Sequence, residues 1–266
     1  MTSGHDLTRR GFLSGAAALM AGAAGATALP DAGLGYLETL VVRSGTPFVP
    51  PSALHPAYSH AVYVNASQSG PAMQRMWVLA RDTAGRWGLA AHDAAHWQTR
   101  PGISPDYSWP VSTGRKYPGD ARSGPTPLGV FNIDDRRYRP GWGAPGMFNA
   151  LYIDLHYSGG RASGVAIHGT TQAQYRKLGR VDSHGCVRMH QANADRVWQI
   201  VHPGGRRRAE SPLWGEIPRY FTSDPGSDKS VRRGYVRDGA LLRDGQGQLL
   251  TRQGYRMVLV FFRDDP

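Results

Sequence analysis

One stretch decides the fold and the chemistry of this chain: Gly164-Val165-Ala166-Ile167-His168, then fourteen residues, then Ser183-His184-Gly185-Cys186-Val187-Arg188. The first part predicts an apolar β-strand that ends at His168. Cys186 is the one cysteine of the sequence, so an intramolecular disulfide cannot form. A thiol flanked by glycine and histidine, with a strand-end histidine upstream, is a candidate nucleophile with a candidate base.

The surrounding sequence predicts a mainly β fold. Alternating or apolar runs predict strands near 60–65, 76–80, 86–89, 109–114, 126–133 and 151–155. After the cysteine, apolar residues recur at helical spacing and predict a short helix of about ten residues; they are Ala194, Val197, Trp198 and Val201. Cys186 is therefore expected in the turn before this helix, where unpaired backbone N–H groups and the helix dipole lower a thiol pKa.

The N-terminus predicts export. Thr8-Arg9-Arg10-Gly11-Phe12-Leu13 precedes an uncharged run from Gly15 to Ala28, which together are typical of a twin-arginine signal peptide over residues 1–28, cleaved after about Ala28. A membrane anchor is the weaker interpretation, because the run is shorter than the roughly 20 residues that cross a bilayer. We therefore expect an exported, periplasmic protein with no transmembrane segment in its mature chain.

Composition divides the mature chain and bounds its partners. Residues 29–56 are predicted as a linker or N-terminal arm, 57–202 as the catalytic domain, and 203–266 as a C-terminal elaboration whose strand at 255–262 returns to the main sheet. From residue 29 onward the chain has 29 basic and 19 acidic residues, a formal charge of +10, which suits an anionic partner. The basic residues are scattered, which disfavours nucleic acid. Only Arg206-Arg207-Arg208 form a run, predicted to contact anionic glycan or a lipid-linked polymer.

These phrases resemble the L,D-transpeptidase family, whose catalytic domain is called YkuD-like. His168, fourteen residues and Ser183-His184-Gly185-Cys186-Val187-Arg188 match its signature, and the Ser112-Thr113-Gly114 and Thr126-Pro127-Leu128-Gly129-Val130-Phe131 phrases are similar to those of its fold. The resemblance covers roughly residues 60–202. It implies a YkuD-like β-sandwich or mixed-sheet fold, with a short helix after the catalytic cysteine and a C-terminal insertion or extension.

The resemblance also implies a substrate and a reaction. Cys186 attacks the carbonyl of the third residue of a peptidoglycan stem tetrapeptide, D-alanine leaves, and an amine acceptor takes the acyl group. The acceptor stays open: a neighbouring stem gives a 3→3 cross-link, and an outer-membrane or wall protein gives an anchored product. The alternatives are an L,D-carboxypeptidase or amide hydrolase of the same fold, and a wall-binding scaffold without catalysis.

Roles for the site residues follow from acyl-transfer chemistry and the resemblance. His168 is expected to form an ion pair that keeps Cys186 ionised and then to carry a proton to the leaving amine. The resemblance implies that the Gly169 carbonyl orients His168. Backbone N–H groups of Gly185 and Cys186 are expected to stabilise the oxyanion.

The remaining predicted site residues keep open roles. His184 is expected to line the site, hold the loop or assist protonation. Arg188 is predicted to bind a substrate carboxylate or to brace the loop. Ser183 and Tyr152 are predicted to lie at the substrate, with a turn or capping role as the stronger interpretation for Ser183.

Two rival sites fit the sequence less well. His168, His184, Cys186 and His190 make a ligand set on paper, but zinc ligands usually come in pairs two to four residues apart, and His184-Gly185-Cys186 is tighter. No metal or cofactor is therefore predicted. In a papain-like peptidase the cysteine precedes its histidine, whereas here the strand-end histidine comes first.

Overall fold

The structure is a computed structural model that describes residues 32–42, 47–95, 107–143, 146–156, 161–223 and 235–265. The predicted signal peptide, residues 1–28, lies outside these ranges. Two larger sheets share a hydrophobic core, and two small two-stranded sheets are added by the C-terminal part. The predicted mainly β fold with mixed sheets and a short helix after the cysteine is confirmed.

Sheet one is the larger of the two. Its strands run in the order β3-β2-β1-β14-β5, with β4 also paired to β2. β1 and β14 are parallel neighbours at the centre of this order, and the other pairs are antiparallel. The strands are β1 His60–Asn65, β2 Arg75–Arg81, β3 Trp87–Leu89, β4 Trp109–Pro110, β5 Gly129–Asn132 and β14 Met257–Phe262.

Sheet one is buried on both faces. Val62 and Phe261 project into the core shared with sheet two, while Tyr63 and Val260 pack into a second apolar cluster on the opposite face. Every residue of β14 is buried. A strand covered on both faces reads as a continuous apolar run, which is why 257–262 lacks polar alternation.

Sheet two carries the sequence stretch quoted at the outset. Its order is β6-β7-β8-β9, with β8 and β9 parallel. The strands are β6 Arg139–Gly143, β7 Met147–Tyr152, β8 Ala166–Gly169 and β9 Val187–Met189, and helix α2 (Gln191–Val201) packs against β7 and β8. Ile167 and Val187 face the shared core. The opposite side, which we call the outer face, holds a small cluster that includes Tyr152 and Ala166.

The predicted linker or arm contains a helix, α1 (Ala32–Thr39), and a short 3₁₀ turn at Pro51–Ala53. Leu37 is fully buried in the second apolar cluster. The Tyr36 hydroxyl donates to Asp264 at 2.5 Å, which connects this helix to the end of the chain. Burial, followed by the Asp264 carboxylate, raises the pKa of Tyr36 well above its usual range. The arm is thus packed onto sheet one.

The C-terminal elaboration supplies β10 Trp214–Pro218, β11 Tyr220–Ser223, β12 Tyr235–Leu241 and β13 Thr251–Tyr255 before β14 enters sheet one. Asp244-Gly245 lies in a turn, whereas Asp238-Gly239 lies inside β12, where the register of its pairing with β11 shifts. In the described ranges, no helix has the length and apolar character needed to cross a membrane.

Candidate active site

His168 lies near the end of β8 and is only 4% exposed. Its Nδ1 is 2.8 Å from the carbonyl oxygen of Gly169. A carbonyl can only accept, so Nδ1 carries the proton and donates, which leaves Nε2 as the acceptor in the neutral ring. The structure therefore places the Gly169 carbonyl where the resemblance implied it.

The electrostatic setting of His168 favours a neutral imidazole. Burial lowers the pKa of His168 to about 4; the hydrogen bond to Gly169 opposes this shift, and the positive charge of Arg188 adds to it. A neutral ring with a bare Nε2 suits a general base that takes a proton from a thiol. The expected ion pair between His168 and Cys186 stays a prediction.

Cys186 lies immediately before β9, beside β8. His168 is in register with Arg188, two residues beyond the cysteine. Two residues along a strand and one strand spacing across give a separation of about 8 Å between the Cα atoms of His168 and Cys186, which their side chains can bridge. Alternation puts both side chains on the outer face, where partly exposed Cys186 packs against the Tyr152 cluster and its Sγ lies 3.7 Å from the Gly164 carbonyl oxygen.

The expected position of Cys186 in the turn before the helix is wrong. Strand β9 separates the cysteine from α2, whose N-cap is His190; the Nδ1 of that histidine accepts from the Ala192 N–H at 3.2 Å. Five extended residues span about 16 Å, and the influence of a helix terminus fades within its first turn. The dipole of α2 therefore does not act on this thiol.

The loop before Cys186 is tied by its own serine. Ser183 is fully buried, and its hydroxyl donates to the Cys186 carbonyl at 2.5 Å and accepts from the Gly185 N–H at 3.1 Å. Gly185 has φ of +136°, a conformation that side-chain-bearing residues rarely adopt. Ser183 thus has the turn role that the sequence favoured, and the Gly185 N–H expected at the oxyanion is engaged within the loop.

Two upstream residues hold the same loop, and sequence reasoning did not single them out. A Cβ on Gly114 would lie 2.4 Å from Gly185 Cα and 2.4 Å from the Gly124 carbonyl oxygen, so only glycine fits there. The buried Thr126 hydroxyl donates to the Gly185 carbonyl at 3.0 Å and accepts from the Gly114 N–H at 2.7 Å. In the sequence, the signal for these two residues was the pair of phrases that contain them. The contacts connect both phrases to the cysteine loop.

His184 points away from the buried part of the site. Its side chain is 54% exposed, its ring stacks on Tyr117 with centroids 4.4 Å apart, and its Nε2 lies 3.6 Å from a carboxylate oxygen of Asp120. Arg188 donates to the His184 Nδ1 at 3.3 Å and to the Asp182 carbonyl at 2.9 Å. These contacts fit the loop-holding alternatives for both residues.

Tyr152 reaches the site from the neighbouring strand. It pairs with Ala166 across β7 and β8 and belongs to the cluster against which Cys186 packs. The Arg137 guanidinium lies 4.9 Å from the centroid of its ring. Tyr152 therefore lies on the same face as the cysteine, and its position at the substrate stays a prediction.

The described residues contain no group of three His, Cys, Asp or Glu side chains arranged to hold a metal ion. Three of the four residues that the sequence suggested as metal ligands make other contacts. The His168 ring donates a hydrogen bond to the Gly169 carbonyl, the His184 ring accepts one from Arg188, and His190 caps α2.

Comparison with solved structures returned L,D-transpeptidases among its matches. One from Mycobacterium tuberculosis H37Rv is 20% identical and has a TM-score of 0.34, covering 53% of this chain and 53% of its own. One from Mycobacterium smegmatis is 16% identical with a TM-score of 0.31, covering 54% of each chain. The helical cell shape determining protein Pgp2 from Campylobacter jejuni is 16% identical with a TM-score of 0.36, covering 64% of this chain and 50% of its own.

The chain thus spans about half the length of the solved structures that it matches. No curated protein matched it. The family model matches a segment that contains His168, the cysteine loop and both upstream phrases: residues 99–208 match the YkuD model, the L,D-transpeptidase catalytic domain.

Proposed function

We propose that this protein is a cysteine L,D-transpeptidase of peptidoglycan, exported to the periplasm. The observation that carries the proposal is the buried His168, oriented by the Gly169 carbonyl and in register with the strand that begins just after Cys186. This arrangement supports the proposed roles of base and thiol, because both side chains lie on one face of sheet two. The match of residues 99–208 to the catalytic-domain model supports the same reaction class.

The first half-reaction consumes the donor peptide. His168 Nε2 takes the thiol proton as Cys186 Sγ attacks the carbonyl carbon of the third stem residue. The tetrahedral intermediate collapses with cleavage of the peptide bond, and the proton on His168 passes to the departing amine of D-alanine. The product is a thioester between Cys186 and the shortened stem.

The second half-reaction returns the enzyme. An acceptor amine attacks the thioester carbonyl, His168 takes a proton from that amine, and the sulfur leaves and is reprotonated. A neighbouring stem peptide yields a 3→3 cross-link, a protein amine yields an anchored protein, and water yields a trimmed tripeptide. We propose a peptide amine as the acceptor, with the hydrolase as the alternative.

Oxyanion stabilisation requires one local exchange. The Gly185 N–H donates to Ser183 in this structure, so it can reach the oxyanion only by giving up that bond. One such donor typically contributes about 3 kcal/mol in the transition state. We propose that substrate binding makes this exchange, while Thr126 keeps the loop in place from the carbonyl side of Gly185.

Mass spectrometry of disaccharide-tetrapeptide incubated with the mature protein tests the proposal. Dimers that lack one D-alanine are expected with the wild type and absent with Cys186→Ala and His168→Ala. Unchanged far-UV circular dichroism and unfolding midpoints are the control that both variants fold. Tripeptide alone identifies the hydrolase, and no consumption of the substrate by folded wild type removes the peptidoglycan assignment.

A further inference from the structure

A cavity of about 680 Å³ is lined by residues from the β5–β6 connection, the segment after β7 and the C-terminal elaboration. We call it the arginine cavity. The charged side chains that line it are Arg136, Arg208, Arg219, Arg252, Asp135 and Asp154. Four guanidinium groups and two carboxylates give this set a formal charge of +2, and Arg136 is also paired with the buried Asp134 at 3.0 Å. A water-accessible concave site with an excess of arginine favours an anion.

The two carboxylates are divided among all four arginines. The Asp154 carboxylate forms ion pairs with Arg252 at 2.8 Å, Arg136 at 3.6 Å and Arg219 at 3.8 Å. Asp135 is 3.3 Å from Arg208 and 3.5 Å from Arg252. Each guanidinium has five N–H donors, whereas a carboxylate offers about four acceptor positions, so the donors outnumber what these carboxylates can accept.

Arg252 has one of these unsatisfied N–H donors in a buried position. Its side chain is 25% exposed, and its Nε is buried with no hydrogen-bond partner among the described residues. A buried donor left without an acceptor costs free energy, and the cost is greater for a charged group. An oxyanion in the cavity supplies acceptors of the type that guanidinium groups bind in pairs.

The cavity continues the outer face of sheet two. Ile153 and Leu155 face the shared core, so alternation puts Tyr152 and Asp154 on the opposite side. Tyr152 belongs to the cluster against which Cys186 packs, and Asp154 lies two residues, or about 7 Å, farther along the chain. An extended peptide held at the cysteine can therefore place an anionic group among the arginines.

We propose that the arginine cavity binds an oxyanion, a carboxylate or phosphate group, and that it serves as a subsite for the charged part of the substrate at Cys186. Anion binding stands on the charges and contacts of the cavity. The subsite role rests on the proposed function. Bidentate guanidinium contacts supply the recognition, and Asp135 and Asp154 keep the arginines oriented when the ligand is absent.

Calorimetric titration of the full-length protein with inorganic phosphate and with succinate, at constant ionic strength held with chloride, tests anion binding. We expect saturable binding that weakens at least tenfold in Arg219→Gln and in Arg208→Gln. Both side chains are about half exposed, so their loss is tolerated by the fold better than that of Arg252. Arg86→Gln is the matched control, because Arg86 is an exposed arginine paired with Asp82 in a turn of sheet one.

The outcomes separate the two parts of the proposal and the two chemical sources. Binding of phosphate alone assigns a phosphate group, and binding of succinate alone assigns a carboxylate. Absence of saturable binding for both anions, or equal affinity in folded Arg219→Gln and Arg208→Gln, overturns the anion site. These titrations do not depend on turnover, so they remain decisive if the proposed reaction fails.

Kinetics with the tetrapeptide donor tests the subsite role. Arg219→Gln is expected to raise KM about tenfold with kcat nearly unchanged, because the interaction is made equally in the ground and transition states. Arg86→Gln should leave both constants unchanged. A variant that loses anion affinity but keeps the wild-type KM shows that the cavity serves another ligand, which contradicts the subsite role.

Discussion

Sheet one and sheet two differ in what covers their faces. In sheet one, β1 and β14 are apolar on both faces and contribute to two hydrophobic clusters. Sheet two is apolar toward the shared core, while its outer face holds a small cluster together with partly exposed Cys186. Buried apolar residues are therefore concentrated in sheet one, and the proposed catalytic pair lies on the face of sheet two that the main core does not use.

Lowering the pH tests whether the two sheets unfold together. Burial lowers the pKa of His60 in β1, of His168 in β8 and of His202 after α2, in each case to about 4. An unfolded histidine titrates near 6.5, so between pH 6.5 and 4 the unfolded chain binds more protons and the folded state loses stability. Each histidine contributes up to about 1.4 kcal/mol per pH unit in this window.

Urea unfolding at pH 7, 6 and 5 measures this loss. The midpoint should change little above pH 6.5 and fall below it. A midpoint that stays constant from pH 7 to 5 contradicts the buried neutral state of these histidines. Two separate transitions at pH 5 would show that the sheets unfold independently.

Removing a core side chain from sheet one should affect stability without affecting the chemistry. Phe261 is fully buried, and its ring lies 5.5 Å from that of Phe131. Phe261→Ala is expected to lower the free energy of unfolding by about 3–5 kcal/mol. Leu250→Ala, at a residue 42% exposed, is the control and should change it by less than about 0.5 kcal/mol.

Turnover at a temperature well below the melting point decides whether the division holds. Phe261→Ala should keep near-wild-type kcat/KM there. A large loss of kcat/KM in the folded variant would mean that sheet one also shapes the site.

Gly114→Ala should do the reverse and disable the site. The added methyl meets Gly185 and the Gly124 carbonyl at 2.4 Å, so the cysteine loop must move. We expect kcat/KM to fall at least 100-fold, about 2.7 kcal/mol, with a much smaller change in the unfolding midpoint. Gly124→Ala is the matched control, because nothing lies within 4 Å of its added Cβ.

Equal activity of Gly114→Ala and Gly124→Ala would show that the loop tolerates displacement. That result would weaken the claim that the Ser112-Thr113-Gly114 phrase exists to hold Gly185.

Substitutions of Thr126 are expected to have the smallest effect. They separate the contribution of its hydroxyl group from that of its side-chain shape. Thr126→Val removes the donor to the Gly185 carbonyl and the acceptor for the Gly114 N–H while keeping the side-chain volume. We expect kcat/KM to fall about tenfold, in line with one or two lost buried hydrogen bonds. Thr126→Ser keeps the hydroxyl and should restore most of the activity; identical losses in both variants would assign the effect to packing.

Local sequence signals predicted the elements that depend on their own residues. The apolar run at 257–262 and the alternation at 60–65 correspond to β14 and β1, and the spacing of Ala194, Val197, Trp198 and Val201 predicted α2. In these segments the side-chain pattern alone specifies which faces are buried. Strand β9 was not predicted. Its three residues form a strand because they pair with β8, which no local pattern indicates.

The sequence by itself determined the candidate pair and its order along the chain, because it has a single cysteine and a strand-end histidine upstream of it. Tertiary structure alone decided that Gly114 touches Gly185 and that Arg208 and Arg252 meet Asp135. These partners lie 71, 73 and 117 residues apart, respectively, and no local pattern encodes their distance. Non-local pairing is settled only when the sheets pack, which is why the position of Cys186 relative to α2 and the arginine cavity came from the fold.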